Sequence, residues 1–325
     1  KANAYGHGVI GVMNHLYDQG VRCASVSTLE EALELRTFFS DIDILMMGAA
    51  LKDDLEICSK FNIEMTVYNE AIYQAVLAFD KPLTCHLKVD TGMSRYGFVE
   101  SNQVIEVVDS LQSMKHIDLK GIYTHFATAN DDQDYFEKQL KQFKVILSKL
   151  NKKPKMIHVS NSSSALKYEP LFDFTTHIRL GISLYGLSLD EPKPNLKQVM
   201  VLKTRIVQTR YLQPGQCVGY SATYCATHVE KIAILPIGYA DGFLRRNKNG
   251  FVEIRGKRYA LVGNICMDAC FVSIDEDIEE NDLVTLFGDV VTIDEIAKRN
   301  QTINYEIVTS ISSRVPRIFI KGDCL

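Results

Sequence analysis

The stretch RCASVSTLEEALELRTFFSDIDILMMG, residues 22–48, carries the architecture in a single unit. RCASVS and IDILMMG are short apolar runs of the kind that forms strands buried on both faces of a parallel sheet. TLEEALELRTFF between them spaces apolar residues three and four apart, the period of a helix laid against such a sheet. Ser27, three residues before Glu30, reads as a capping box that opens this helix.

The same alternation recurs from residue 9 to about 180. Helical patterns occupy VIGVMNHLYDQG, LKDDLEICSKF, EAIYQAVLAF, SNQVIEVVDSLQSM and QDYFEKQLKQFKVILSKL. Strand-like runs occupy IEMTVY, LTCHLKV, IDLKGIYTH, KMIHVS and THIRLG, which with RCASVS and IDILMMG makes seven. KANAYGHG, residues 1–8, reads as the end of a further strand and the loop into the first helix, so an eighth strand is expected upstream of Lys1. The expected fold class is α/β, a TIM (β/α)8 barrel over residues 1–190 lacking its N-terminal strand. An open doubly wound sheet is the competing arrangement, and periodicity alone does not separate the two.

Around DEPKPNLKQ, residues 190–198, prolines and charges interrupt the pattern. Beyond it, VMVLKTRIVQTRYL, KIAILPIGYADG, GFVEIRGKRYALVGNICMDACFVSI and DLVTLFGDVVTI are β-branched runs parted by Gly, Asn and Pro. A second, mainly β domain is expected over 199–325, with helices only at VTIDEIAKRN and NYEIVTSISSRV.

Composition narrows the function classes. Hydrophobic residues at 46%, charged residues at 23% and a net charge of −4 lack the basic excess of a nucleic-acid binder. No apolar run approaches the roughly 20 residues of a membrane span. Eight cysteines are scattered without a CxxC pair, which argues against zinc and for a reducing cytoplasm. Cys266 and Cys270 read as buried small side chains rather than as a redox pair. Asp131, Asp132 and Asp134, just before a long helix, read as N-terminal caps rather than metal ligands.

In a barrel the chemistry gathers at the C-terminal strand ends. There the sequence places Lys1 and Tyr5, Lys88 and Arg95 in HLKVDTGMSRYG, His125, Asn161 and Ser162, and Arg179. Two lysines, two arginines and a histidine around one cavity repel one another unless an anion neutralises them. SNSSSA and RLGISLYG follow the last two strands, where barrels hold phosphate and where small residues expose backbone donors. A strand-end lysine beside such loops points to pyridoxal 5'-phosphate, whose aldehyde takes a Schiff-base lysine.

KANAYGHG, HLKVDTGMSRYGF, THFATA, HVSNSS, RLGISLYG, VGYSATY, LPIGYADG, ICMDA and INYE stand in this order across nearly the whole chain. Through them the chain resembles the alanine racemases, pyridoxal-phosphate enzymes of the barrel class. The resemblance implies that Lys1 is the Schiff-base lysine and one of two catalytic bases, with Tyr220 the other. Racemisation needs such a pair, because the α-proton leaves one face of a planar carbanion and returns to the other. A tyrosine with an ordinary pKa near ~10 also needs cations nearby to serve as a base.

The resemblance further implies that Arg179 faces the pyridine nitrogen, supported by His158, with His125 against the ring. Tyr5, Ser162, Gly181, Ile182 and Tyr305 match phosphate contacts, with Asn161 beside them. Arg95 matches the arginine near the substrate carboxylate, and Lys88 a lysine that the family often carries as a carbamate. Tyr239 and Met267 match residues that reach the active site, with Tyr220, from a partner subunit. The implied unit is a cytoplasmic homodimer with shared sites that interconverts L-alanine and D-alanine for peptidoglycan. A related serine racemase carries a smaller polar residue at the tyrosine of INYE, so Tyr305 favours alanine. Barrel-plus-β amino-acid decarboxylases share the cofactor but do not need the Lys1 and Tyr220 pair, and a noncatalytic cofactor carrier would have no use for VGYSATY and ICMDA.

Overall fold

A computed structural model describes residues 1–190 and 195–320; DEPKPNLKQ lies partly, and Cys324 wholly, outside the described residues. Two compact units emerge, the first built mainly from Val9–Leu184 with Lys1–Ala4, the second from the chain beyond Leu196 with Tyr5–Gly8 and Tyr185–Leu187.

The first unit is a curled parallel sheet of six strands in sequential order. They are β1 (Cys23–Val26), β2 (Asp43–Met46), β3 (Glu64–Val67), β4 (Leu83–Lys88), β5 (Ile117–Tyr123) and β6 (Met156–His158). Helices Leu29–Phe38, Asp54–Phe61, Glu70–Leu77, Ser101–Ser113 and Gln133–Ser148 connect them in turn, and Val9–Asp18 precedes the first. Each helix lays an apolar stripe on the sheet. Val104, Val108 and Leu111 from one and Phe136 and Phe143 from another join Ile44, Met65, Leu87 and Ile122 of the strands in one buried core. This is the expected β/α alternation, and it rests on helical and strand periods that are local properties of the chain.

Three details differ from expectation. THIRLG is not a seventh strand: His177 makes one isolated bridge to His158. Thr176 Oγ1 accepts the Ile157 amide at 2.9 Å, and that side-chain bond takes the place of a ladder bond. Residues 2–5 are not a strand end. Ala2, Asn3, Ala4 and Tyr5 have φ of 47°, 51°, 54° and 53°, a left-handed turn without glycine. Such a backbone costs on the order of 1–2 kcal/mol per residue. Asn3 Oδ1 accepts the Val9 amide at 2.7 Å, and Glu31 accepts the Ala2 amide, which tie the turn at both sides. The cap of the helix Leu29–Phe38 also sits one residue later than Ser27 and Glu30 would put it. Thr28 Oγ1 accepts the Glu31 amide, while the Glu31 carboxylate reaches back to the Ser27 amide at 2.7 Å. Asp132 does cap its helix, accepting the Tyr135 amide at 3.0 Å.

The second unit is antiparallel. Its seven-stranded sheet runs β7 (Leu202–Arg205), β15 (Leu283–Phe287), β12 (Phe251–Ile254), β13 (Lys257–Val262), β14 (Cys270–Ile274), β11 (Glu230–Leu235) and β8 (Gln208–Leu212). β12 and β13 form a hairpin across Arg255 and Gly256, whose φ of 51° and 79° match the strand twist. β14 alternates buried and half-buried residues, as expected of a sheet with one face on a core. Helices Ile293–Asn300 and Asn304–Thr309 complete the unit.

A separate short ribbon, β9 (Cys217–Val218) with β10 (Tyr224–Cys225), rests on a small cluster of Val218, Leu212, Ala226, Ile232 and Val262. Cys217 and Cys225 are joined by a disulfide. The spacing of the cysteines gave no sign of this pair, which is directly opposed across the ribbon. Cys270 is fully buried and Cys266 partly so, both as free thiols.

Candidate active site

Register decides which side chains share the interior of the first unit. Thr66 lies opposite His86, His86 opposite Gly121, Lys88 opposite Tyr123, and Tyr123 opposite His158. A bulge between Cys85 and His86 shifts the β4–β5 register so that Gly121, not Lys120, faces His86. A Cβ on Gly121 would lie 2.2 Å from His86 Nδ1, so only glycine leaves room for that ring.

The result is a buried polar line through an otherwise apolar sheet. His86 Nε2 meets Glu64 Oε2 at 2.8 Å, and His86 Nδ1 meets His158 Nε2 at 2.9 Å. Lys120 bonds Glu64 and, at 2.7 Å, Asp43. Burial, the largest single influence on Glu64, favours its neutral form, but the bonds and charges of His86 and Lys120 outweigh it and hold the carboxyl below its usual range. Tyr123 stacks on His158 with ring centroids 4.7 Å apart, and its hydroxyl bonds Thr66 Oγ1 at 3.0 Å. Burial pushes that hydroxyl up to about 12, so it stays protonated.

Arg179 closes the line. Its Nη1 bonds His158 Nδ1 at 2.8 Å, and its Nη2 donates to the carbonyls of Thr124 at 2.8 Å and Val159 at 3.0 Å. His125 Nδ1 lies 3.3 Å from the same Nη2. These are neutral acceptors, without a carboxylate. Desolvation lowers the guanidinium to about 10, which leaves it charged at neutral pH. Desolvation and then the charge of Arg179 hold both His125 and His158 well below the ordinary imidazole range.

The expected cluster of cations is present in this unit. Lys88 is buried, donates to the Val89 carbonyl at 2.7 Å, and is pushed down to about 7 by burial, with Arg179 and Arg95 adding to the fall and Asp90 opposing it. Asp90 itself accepts the Gly92 amide at 2.8 Å and the Ser94 amide at 3.1 Å. Lys1 is lowered by desolvation first and by Arg95 second, with Glu31 opposing. Lys1 and Arg95 are exposed.

The loops after β6 supply donors for an anion. Asn161 caps the short helix Ser162–Tyr168 in a box with Ser164. Ser162 Oγ receives the Gly181 amide at 3.0 Å, the Ser183 amide at 3.3 Å and lies 3.0 Å from Ser183 Oγ. Two backbone amides and two hydroxyls thus gather at one point, a set of donors that fits a phosphate-bearing cofactor. Ile182 follows Gly181 and is buried.

The other expected site residues belong to the second unit. Tyr5 packs within it against Tyr185 and Tyr305, ring centroids 5.5 and 5.9 Å apart, and burial raises the Tyr5 hydroxyl. Tyr220, Tyr239 and Met267 are exposed at 71%, 41% and 53%. Glycine geometry brings the last two together: a Cβ on Gly238 would strike the Cys266 and Met267 carbonyls, and the Tyr239 amide bonds the Cys266 carbonyl at 3.1 Å. Sequence reasoning did not find Glu64, His86, Lys120 or Gly121. Their signal was available, since Glu64 and His86 are charged or titratable residues inside apolar strand runs, which a core does not tolerate unpaired.

Such a fold and site define a class: a parallel β/α unit whose strand ends hold cations and phosphate donors, continued by an antiparallel β unit that presents exposed aromatic residues. Residues 1–189 match the family model for the alanine racemase N-terminal domain, and residues 199–319 that for the alanine racemase C-terminal domain. An alanine racemase of Listeria innocua is 40% identical over 98% of this chain and 89% of its own length. The crystal structure of alanine racemase from E. faecalis superposes with a TM-score of 0.91 at 34% identity, covering 97% of this chain and 88% of that one. Alanine racemase from Bacillus anthracis with bound L-Ala-P gives 0.92 at 31% identity, covering 99% and 87%. The chain belongs to the alanine racemase family.

Proposed function

We infer that this protein interconverts L-alanine and D-alanine with pyridoxal 5'-phosphate as cofactor, moving the α-proton between two bases on opposite faces of the substrate. The observation that carries this is the setting of Arg179, a charged guanidinium that bonds the Thr124 and Val159 carbonyls, His158 and His125 and, among the described residues, no carboxylate. An arginine donates and does not release its proton, so Arg179 would leave the nitrogen of a cofactor ring held against it unprotonated and the ring a weaker electron acceptor. That favours returning a proton to the substrate carbon over side reactions such as transamination.

When bound, pyridoxal phosphate supplies an aldehyde for amine attachment and a conjugated ring that withdraws electrons from the substrate Cα. Lys1 Nζ is the attachment point and the first base; desolvation and then Arg95 lower its pKa, the direction a base requires. Tyr220 Oη is the second base. Arg95 orients the substrate carboxylate, and Tyr239 and Met267 wall the substrate. Tyr5, Asn161, Ser162, Gly181, Ile182 and Tyr305 hold the phosphate, and His125 flanks the ring. Lys88, at about 7, keeps a neutral fraction able to add carbon dioxide, and the resulting carbamate would place a negative charge among Arg95, Arg179 and Lys1.

In this reading residues 1–190 form the cofactor domain, and residues 199–325 carry Tyr220, Tyr239 and Met267 into the site of a second copy. The working form is then a homodimer with two shared sites. The product is D-alanine for peptidoglycan, made in the cytoplasm. Among the described residues no helix is long and apolar enough to cross a membrane.

The test is proton NMR of L-alanine, and separately of L-serine, in deuterated buffer with the protein and pyridoxal phosphate, followed by chiral analysis. Loss of the α-proton signal with appearance of D-alanine is expected, and faster than for serine. Exchange without the D-product, or release of carbon dioxide, would refute the two-base assignment.

A further inference from the structure

The loop that carries Tyr220 begins and ends on cysteine: CVGYSATYC, residues 217–225. Its base is the ribbon β9–β10, which pairs only Cys217 with Cys225 and Val218 with Tyr224. A ladder that short holds little by itself. Outside it, the Ala226 amide bonds the Gln216 carbonyl at 2.9 Å and the Gly215 amide bonds the Ala226 carbonyl at 2.8 Å. Inside it, Gly219, Ser221 and Ala222 all have positive φ, at 71°, 63° and 44°. Two of these are not glycine, so the tip is held in a conformation that the free chain avoids. One buried side chain, Asn264, grips the tip by donating to the Tyr220 carbonyl at 2.9 Å.

Closure at the base therefore has a task. The two cysteines face one another with Cα atoms 3.9 Å apart and are disulfide-bonded. Both are exposed, whereas Cys58, Cys85 and Cys270 are buried. Exposed thiols exchange with solutes and buried ones do not.

We propose that Cys217 and Cys225 form a redox-active pair, open to low-molecular-weight disulfides and dithiols, whose oxidation state sets how firmly the Tyr220 loop is held. In oxidation, the thiolate of one cysteine attacks a small disulfide, forms a mixed disulfide and expels one thiolate. The second cysteine's thiolate then attacks the protein sulfur of that mixed disulfide, forms the Cys217–Cys225 bond and expels the other. The protein loses two electrons and two thiol protons; the small disulfide gains both as two thiols. A dithiol runs the sequence backwards. Pairing and loop order stand on the ribbon alone, and only the consequence for turnover rests on Tyr220 acting as a base.

The experiment treats the full chain with glutathione disulfide or with dithiothreitol, then alkylates and digests it. Both cysteines fall in one tryptic peptide, residues 211–231, because trypsin cuts after Arg210 and Lys231. After oxidation this peptide should be unalkylated and lighter by two hydrogens; after reduction it should carry two alkyl groups. Amide hydrogen exchange of residues 218–224 should be several-fold faster in the reduced protein, and Cys217→Ser should exchange fast under both treatments. Turnover of alanine should fall several-fold on reduction and recover on reoxidation in the wild type, and ignore both treatments in Cys217→Ser. Full alkylation of the oxidised sample, or equal exchange in the two states, would overturn the proposal. An exchange contrast without a turnover contrast would support the pair and contradict the base role of Tyr220.

Discussion

Arg179 Nη1 donates to His158 Nδ1 at 2.8 Å, and this contact sets the proton positions behind it. Arginine only donates, so His158 Nδ1 is an acceptor and the ring's proton sits on Nε2, where it is given to His86 Nδ1. His86 then carries its own proton on Nε2, aimed at Glu64. The order of protons runs from Arg179 through both imidazoles to the buried carboxylate at the start of β3.

Glu64→Gln should disturb that order. An amide offers one oxygen, and whichever of His86 and Lys120 receives it, the other donor meets an NH2 group. The expected cost is about 1–3 kcal/mol of unfolding free energy, from one buried donor left unpaired. Racemisation should fall with it, and the imidazole proton resonances of His86 and His158 should shift together. A denaturation midpoint equal to wild type would contradict the arrangement.

Gly121→Ala should act on the same line from the opposite strand. The added methyl lies 2.2 Å from His86 Nδ1, and His86 is fully buried and bonded at both ring nitrogens. Overpacking of this kind costs about 1–3 kcal/mol. Gly256→Ala serves as a comparison in thermal unfolding, because its added methyl meets nothing within 4 Å and only its φ of 79° opposes it. Loss of the His86 resonance position in the first variant and not in the second is expected.

Lys88 ties stability to pH. Burial lowers its amine from 10.5 to about 7, while the unfolded chain keeps the ordinary value. Between these two limits the unfolded state binds more protons, so stability rises with pH across this window, and the burial penalty is fully present below its lower end. In buffer free of carbon dioxide, Lys88→Met should flatten the rise and be the more stable protein near neutrality. Urea midpoints across the window measure this, and a parallel pH dependence in the two proteins would show that Lys88 is not the group responsible. With labelled bicarbonate, a carbamate resonance should appear in the wild type above pH ~7, where the amine is neutral, and be absent from the variant.

Tyr220→Phe removes one hydroxyl from a side chain that is 71% exposed, so the fold should hardly notice it, with a change within about 0.5 kcal/mol. Racemisation should drop by about 10²- to 10⁴-fold, the range of a lost general acid or base. Exchange of the L-alanine or the D-alanine α-proton, whichever is abstracted by Lys1, should survive better than its mirror image. Equal loss for both enantiomers would place Tyr220 outside proton transfer.

Much of this molecule was legible in the chain itself. The β/α alternation, the change to antiparallel structure near residue 199 and the Asp132 cap rest on periods and neighbours within a few residues. Lys88, Arg95, His125, Asn161 and Ser162 could be placed at or just beyond strand ends because those ends were visible as the close of apolar runs, whereas Arg179 lies in THIRLG, which makes only an isolated bridge.

The remainder depends on register between strands far apart in sequence. The line from Glu64 through His86 and His158 to Arg179 needs β3, β4, β5 and β6 aligned to the residue, with a bulge before His86, and no local pattern carries that alignment. THIRLG had the composition of a strand, but a threonine hydroxyl took one amide of its neighbour and left a single bridge. The left-handed turn at residues 2–5 contradicts the preferences of Ala2, Ala4 and Tyr5 and persists through side-chain bonds from Asn3 and Glu31. Cys217 and Cys225 looked unrelated along the chain and became partners once the ribbon set them face to face. Local periodicity determines which elements form; register, close approach and pairing arise only when distant elements meet, and most of the chemistry of this site lies there.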